Sequence, residues 1–149
     1  MKNYKDTPQL SDEHIRQGVQ EILDSNLDTY PLKKTFSGLL ALLDLTTLEG
    51  ADNTKKVQAL CQKATSFAQM GLGLPNVAAV CVYPTLVGVA RKALEGTRIH
   101  VASVAGAFPS GLSPLKLRLE EVRYAVSEGA DEIDMVISRG RFLEEDDAY

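Results

Sequence analysis

The sequence predicts an α/β protein built from parallel βα units, because three features recur along most of its length. Short apolar runs, each typical of a strand, begin near residues 39, 77, 99 and 132. The segments between them carry apolar residues at helical spacing and start or stop at capping residues, Pro or Gly. Strands that alternate with such helices imply right-handed crossovers and a parallel sheet. Two closures fit this order: an open doubly wound sheet of about five or six strands, or a (β/α)8 TIM barrel.

Residues 1–38 are predicted to form an extension that precedes the first βα unit. Ser11 is the candidate N-cap of a helix, and the apolar residues after it recur on one helical face. These apolar residues are Ile15, Val19, Ile22 and Leu23. The chain from Leu27 to Phe36 is predicted to be a connection that runs through Pro31.

The first βα unit is predicted from residue 39 onward. The apolar run Leu39–Leu45 fits a strand or a buried helix by periodicity alone, and the units that follow it favour a strand. We expect its single aspartate, Asp44, to lie near the carboxyl end of that strand. A helix then begins at Asn53 or Thr54 and continues up to Gly71.

The second and third units follow the same order. A valine-rich strand is predicted at Val77–Tyr83 and stops at Pro84, which is tolerated in the first turn of the next helix. That helix ends at Gly96. A third strand at residues 98–106 leads into the loop of residues 107–114. The loop holds a glycine and two serines before a helix, an arrangement that fits either anion binding or a simple cap.

The fourth unit completes the pattern. A helix is predicted to begin near Ser113 and Pro114, because a cap followed by proline is the expected order at a helix start, and to end at Gly129. Glu132–Ser138 forms a fourth strand, and residues 139–149 form a loop and the opening of another helix. Residues 39–149 thus contain about four of the eight units of a barrel, in about half the length that eight units need.

Composition and charge exclude several classes of function. The 149 residues include 16 Lys and Arg against 20 Asp and Glu, a net charge of −4 with both signs scattered, which argues against nucleic-acid binding. Uninterrupted apolar runs such as Leu39–Leu43 are far shorter than the roughly 20 residues of a membrane span. The first residues lack the apolar core of a secretory signal. We therefore expect a cytoplasmic protein.

No cofactor is expected from the motifs. The glycine pattern of a dinucleotide site is absent after every predicted strand, and there is no P-loop. The two cysteines, Cys61 and Cys81, have no CxxC partner and no Cys/His cluster around them, so we predict reduced thiols and no metal site.

Three reactive side chains interrupt the apolar strands and are the candidate site residues: Asp44, Cys81 and Asp134. An aspartate buried among aliphatic residues is costly unless it is paired or protonated. Asp134 is therefore either a general acid or base with a shifted pKa, or a structural carboxylate that caps a loop or pairs with an arginine. Asp44 has the same two interpretations. Cys81 fits an inert buried thiol better than a nucleophile, because no histidine is placed to activate it.

Five segments together resemble the deoxyribose-phosphate aldolase family. They are LLDLTTL around Asp44, AAVCVYP around Cys81, VASVAGAFPSG, RLEEVRYAVSEGADEIDMVI and SRGRF. The resemblance spans Leu39–Tyr149 and corresponds to the first four βα units of the family. It implies a (β/α)8 barrel and a class I aldolase, which reversibly cleaves 2-deoxy-D-ribose 5-phosphate to glyceraldehyde 3-phosphate and acetaldehyde through a lysine Schiff base, without metal or cofactor.

The resemblance also implies roles for the candidate residues. The family aspartate that matches Asp134 relays protons as the imine and enamine form and break. Those matching Asp44 and Cys81 line the same site. The family's Schiff-base lysine lies in later strands, and none of the nine lysines of this chain falls in a predicted strand; they are Lys2, Lys5, Lys33, Lys34, Lys55, Lys56, Lys63, Lys92 and Lys116.

Chemistry supports the same expectation independently. An amine nucleophile must be largely unprotonated near neutral pH, and a solvated lysine with a pKa near 10.4 is not. We therefore expect the chain alone to be inactive and to be the N-terminal half of an aldolase that acts on a phosphorylated sugar. It is either a truncated gene product or one partner of a two-piece enzyme, in which case the missing C-terminal half-barrel is separately encoded. The alternative is a non-catalytic half-barrel that self-associates through its open sheet edges and apolar inward face. A small flavodoxin-like binding domain also fits the element order but lacks a phosphate loop.

Overall fold

The computed structural model describes residues 10–26 and 32–145. The chain divides into two compact units, one up to residue 36 and one from residue 37 onward. The helices are α1 (Asp12–Asn26), α2 (Leu32–Leu40), α3 (Thr54–Ser66), α4 (Val87–Ala93), α5 (Leu115–Ser127) and α6 (Arg139–Leu143). The strands are β1 (Asp44–Thr46), β2 (Ala79–Val82), β3 (His100–Ala105) and β4 (Glu132–Met135).

Helix α1 begins where the sequence predicts it. The Ser11 hydroxyl accepts a hydrogen bond from the backbone N–H of His14 at 3.2 Å, which is the contact of an N-cap. The apolar stripe of this helix is exposed: between 45% and 64% of the surface of Ile15, Val19, Ile22 and Leu23 is accessible.

The predicted connection before the first strand is wrong in part. Residues 27–31 lie outside the described residues, but residues 32–36 are helical and belong to α2. This helix also takes Leu39 and Leu40 from the predicted strand Leu39–Leu45, because leucine is a strong helix former and periodicity did not separate the two states. Backbone hydrogen bonds extend the helical turns as far as Leu43, so β1 starts only at Asp44.

The four strands form one parallel sheet in the order β1-β2-β3-β4. Each successive strand is added beside the preceding one after a helical connection, as βα units require. The sequence-based prediction of parallel βα units is therefore confirmed, with strands shorter at their ends than predicted. Asn53 caps α3 by accepting a hydrogen bond from the Lys56 N–H at 3.2 Å, as expected.

The main core lies between one face of the sheet and the helices α3 and α4. Val80, Val82 and Val101 contribute the strand side of this core and are completely buried. Helix residues pack against them, namely Val57, Cys61, Ala64, Val87 and Ala90. We call the opposite face of the sheet the inner face. Its buried centre consists of Ala79, Cys81, Ala102 and Val104.

The two outer strands of the sheet are only partly covered. Among the described residues, β1 and β4 each pair with one neighbouring strand and leave one edge open. Large apolar side chains near β4 are exposed, including Met135 at 52%, Ile137 at 55% and Val126 at 54%. Within the described ranges, no helix is both long enough and apolar enough to cross a membrane.

Candidate active site

The strand register places the candidate residues on the inner face. Residues paired across a parallel sheet point to the same side. Three levels of side chains result, which from the amino end of the sheet are Asp44–Ala79–His100, Thr46–Cys81–Ala102–Glu132 and Val104–Asp134. The sheet therefore brings all three predicted site residues to one surface, although they lie far apart in sequence.

Asp44 lies at the opposite end of its strand from the one predicted. It is the first residue of β1, not one near the carboxyl end, because the leucines before it are helical or in turns. Its pKa is raised above the ordinary value, first by desolvation and then by the negative charges of Glu132 and Asp134, while His100 opposes the shift. Asp44 thus lies within electrostatic reach of both carboxylates of β4.

Asp134 is exposed, so the expectation of a buried carboxylate among aliphatic residues is wrong for the described chain. The reason is its place on β4, which is the outer strand of the sheet and has no neighbour on its far side among the described residues. Its side chain still acts on the inner face, because its charge contributes to the raised pKa values of Asp44 and Cys81.

Cys81 is the buried centre of the inner face, with 3% of its surface accessible. Its pKa is raised to about 11, mainly by desolvation and then by the charges of Asp134 and Asp44; hydrogen bonds involving Val104 and Thr46 oppose the shift. The thiolate is the nucleophilic form of cysteine. A thiol held protonated in this way agrees with the interpretation of Cys81 as an inert buried thiol.

Sequence reasoning missed Glu132 as a member of this surface. It precedes Asp134 by two residues, and side chains two residues apart in a strand lie on the same face. The alternation of side chains along the predicted strand was therefore sufficient to place Glu132 beside Asp134 on that face. Glu132 binds the Nδ1 atom of His100 at 2.5 Å and, through this contact, raises the pKa of that imidazole. His100 begins β3, at the amino end of the sheet, as the sequence predicts.

The loop that follows β3 is held by internal contacts. The Ser110 hydroxyl donates to the carbonyl of Ala107 and accepts from the Leu112 N–H. A cavity of about 460 Å³ lies beside this loop and is lined in part by Ser113, Ser138 and Arg141. None of the three predicted site residues lines it. Anion binding by the loop stays a prediction.

The described lysines lie on helices and not in strands β1–β4. They are Lys33, Lys34, Lys55, Lys56, Lys63, Lys92 and Lys116. Lys56 forms ion pairs with Asp52 at 2.6 Å and Glu49 at 2.7 Å, and these contacts raise its pKa, which is opposite to what an imine-forming amine needs. Among the described residues, no three His, Cys, Asp or Glu side chains are grouped so that they could hold a metal ion.

Comparison with known proteins finds relatives of this chain. Over 115 residues the chain is 47% identical to the deoxyribose-phosphate aldolase of Homo sapiens, which covers 70% of this chain and 36% of the relative. It is 49% identical over 111 residues to the deoxyribose-phosphate aldolase of Mus musculus, covering 67% of this chain and 35% of the relative. The chain thus spans about a third of the length of these curated relatives. No protein-family model matches it.

Solved structures agree with the fold. The aldolase QR15 superposes with a TM-score of 0.60 at 27% identity, covering 72% of this chain and 43% of that structure. A tetrameric deoxyribose-phosphate aldolase from Aeropyrum pernix gives a TM-score of 0.51 at 25% identity, covering 68% of this chain and 40% of that structure.

The parallel four-stranded sheet with its flanking helices has the arrangement of βα units of a TIM barrel, as in the solved aldolases with which it superposes. More particularly, the chain is a homologue of the deoxyribose-phosphate aldolases, as its strand motifs indicate.

Proposed function

We propose that this chain contributes the carboxylate side of the active site of a class I deoxyribose-phosphate aldolase, and that the reacting lysine lies outside these 149 residues. One observation carries the proposal: Asp44, Glu132 and Asp134 share the inner face with Cys81, whereas every described lysine is on a helix. The substrate would be 2-deoxy-D-ribose 5-phosphate, and the products glyceraldehyde 3-phosphate and acetaldehyde. The cytoplasmic location expected from the sequence is part of this proposal.

The charge of the inner face supports the need for a cationic partner. Three carboxylates on one open surface repel one another, and this repulsion adds to the desolvation that raises the pKa of Asp44. A partner that places ammonium groups opposite them would relieve the repulsion. The same carboxylates would favour a protonated imine over its neutral form, because a nearby opposite charge stabilises the charged state.

The roles of the residues in this chain follow from their positions. Asp134 is exposed on the inner face and is free to exchange protons with a bound substrate, which is the task of a general acid and base. The carbon–carbon bond of the substrate breaks as an enamine forms, so a proton must leave the 3-hydroxyl group and another must later reach the enamine carbon. Asp44 would order the polar network around these transfers, and the protonated Cys81 would form part of the site wall.

Complementation tests this proposal. The 149-residue chain is mixed with a polypeptide that carries the later, lysine-bearing βα units of a deoxyribose-phosphate aldolase, and retro-aldol cleavage is measured. We expect activity only in the mixture, with borohydride trapping substrate on the added polypeptide. Turnover at a normal rate by the 149-residue chain alone, with label on one of its nine lysines, would contradict the proposal.

A variant in the mixture tests the role of Asp134. We expect Asp134→Asn to lower turnover about a hundredfold, the scale of a general acid–base residue. Asp24→Asn is the matched control, because it removes a carboxylate from the exposed helix α1 and should leave the rate unchanged. A near-normal rate for Asp134→Asn would assign that aspartate a structural role.

A non-catalytic, self-associating half-barrel is the second candidate. The open edges of β1 and β4 and the exposed Met135 and Ile137 favour it. A second copy would bring three more carboxylates to the inner face, so we expect association to strengthen as the pH falls. Light scattering at pH 5 and pH 7.5 distinguishes the candidates: a dimer that is tighter at pH 5 than at pH 7.5 and does not respond to the lysine-bearing polypeptide supports the scaffold.

A further inference from the structure

Arg118 occupies an unusual position for a charged residue. It lies on α5 with only 6% of its surface accessible, whereas arginine is mostly exposed in folded proteins. Burying a charge is unfavourable unless hydrogen bonds replace the lost water. The position of this guanidinium must therefore be fixed by the contacts it makes.

Those contacts bridge the carboxyl ends of two neighbouring strands. The Nε atom donates to the carbonyl of Gly106, which follows β3, at 3.0 Å. The Nη2 atom donates to the carbonyl of Val136 at 2.8 Å, and Nη1 donates to the hydroxyl of Ser138 at 2.5 Å. Since the register between β3 and β4 ends at Met135, Arg118 holds the chain just beyond the strand ladder.

The loop after β3 packs against the same stretch of chain. A Cβ atom added at Gly111 would lie 2.9 Å from the carbonyl oxygen of Ile137, so the two backbones are in direct contact. The Arg139 guanidinium donates to the carbonyl of Pro109 at 3.1 Å. On α5, one turn from Arg118, Glu121 accepts a hydrogen bond from the Ala107 N–H at 2.8 Å. Arg118 therefore lies at the centre of one connected junction.

We propose that Arg118 is a positioning residue for Asp134: its guanidinium joins the ends of β3 and β4 and so keeps the Asp134 carboxylate in place on the inner face that it shares with Cys81. This inference rests on the proposed function only for its catalytic consequence. Asp134 precedes the anchored Val136 by two residues and lies on an outer strand with one pairing neighbour. The ends of such strands open most readily, so an anchor there has the greatest effect.

A double-mutant cycle in the 149-residue chain tests the positional part without any activity. Because the charge of Asp134 disfavours the Cys81 thiolate, alkylation of Cys81 by iodoacetamide reports whether that carboxylate is in place. Arg118→Met should accelerate alkylation of Cys81 in the otherwise wild-type chain. In the Asp134→Asn background, Arg118→Met should cause no further acceleration. Arg123→Met is the control, since Arg123 is on the same helix, is exposed, and forms an ion pair with the exposed Glu120.

Two results of this cycle would overturn the inference. One is an unchanged alkylation rate in Arg118→Met; the other is equal acceleration in both backgrounds, which would show general loosening. Arg118→Lys covers the case in which the methionine variant does not fold. It keeps the charge, but a single ammonium group cannot reach three separated acceptors, so it should behave like Arg118→Met. An alkylation rate in Arg118→Lys equal to that of the wild type would show that the charge of residue 118 matters and that its bridging hydrogen bonds do not.

The reconstituted complex tests the catalytic consequence. Arg118→Lys should lower kcat about tenfold to a hundredfold, the scale of a slightly misplaced catalytic group, with KM changed by no more than about twofold. An unchanged kcat with an altered alkylation rate would refute the catalytic consequence. If the wild-type complex is inactive, the proposed function fails, and the alkylation cycle still decides whether Arg118 positions Asp134.

Discussion

The reactivity of Cys81 gives the sharpest test of the inner face. Its pKa of about 11, compared with an ordinary value of 9.0, makes the thiolate about a hundredfold scarcer near neutral pH. At pH 8 roughly 0.1% of Cys81 is ionised, compared with roughly 9% of an unperturbed thiol. Since alkylation proceeds through the thiolate, native Cys81 should react at least about a hundredfold more slowly than in the unfolded chain. Its burial slows the reaction further.

The assay is alkylation by iodoacetamide from pH 7 to pH 9.5, with peptide mass spectrometry to separate Cys81 from Cys61. The rate at Cys81 should rise about tenfold per pH unit without a plateau, because the whole range lies below its pKa. The same chain in urea provides the reference. A plateau below pH 9, or a native rate equal to that in urea, would refute the reasoning.

The carboxylates provide the second half of the test. Asp44→Asn and Asp134→Asn each remove a negative charge that raises the pKa of Cys81, so each should lower that pKa and accelerate alkylation. Glu49→Gln is the control, because it removes an exposed carboxylate that does not contribute to this shift. Rates for the two aspartate variants equal to the control would show that the three side chains do not share a surface.

Three further predictions concern stability, measured as the free energy of unfolding in urea. Val82→Ala removes two methyl groups from the completely buried core and should cost about 2 kcal/mol, whereas Val126→Ala on the exposed side of α5 should change stability by less than about 0.5 kcal/mol. Gly111→Ala should cost about 1–3 kcal/mol, because the residue has φ +69° and the new Cβ would meet a backbone carbonyl at 2.9 Å; Gly50→Ala, with open space around it, serves as the control. The pKa of Asp52 is lowered by Lys56 and by hydrogen bonds, so the ionised Asp52 stabilises the fold above its unfolded-state pKa, and this stabilisation is lost as the pH falls through its folded-state pKa. The difference in unfolding free energy between wild type and Asp52→Asn should therefore shrink as the pH is lowered. A difference that stays constant down to low pH would contradict this assignment.

Local sequence signals were sufficient wherever neighbouring residues decide the structure. The Asn53 cap, the proline that opens the segment after β2, and the helical spacing of the buried apolar residues of α3 lie where they were predicted. The leucine run before Asp44 was assigned wrongly because it suits a helix and a strand equally, and only pairing with β2 settles where β1 begins. The position of Asp44 within its strand changed for the same reason.

By itself, the sequence determined the fold class, the order of the βα units, the relationship to the aldolases, and the placement of Asp44, Cys81 and Asp134 on strands. Only the tertiary structure decided that these residues share one face with Glu132, that Asp134 is exposed, and that Arg118 joins the ends of β3 and β4. These features depend on strand register and on contacts between residues far apart in the chain. Periodicity and capping act over a few residues, so they cannot specify which distant side chains meet.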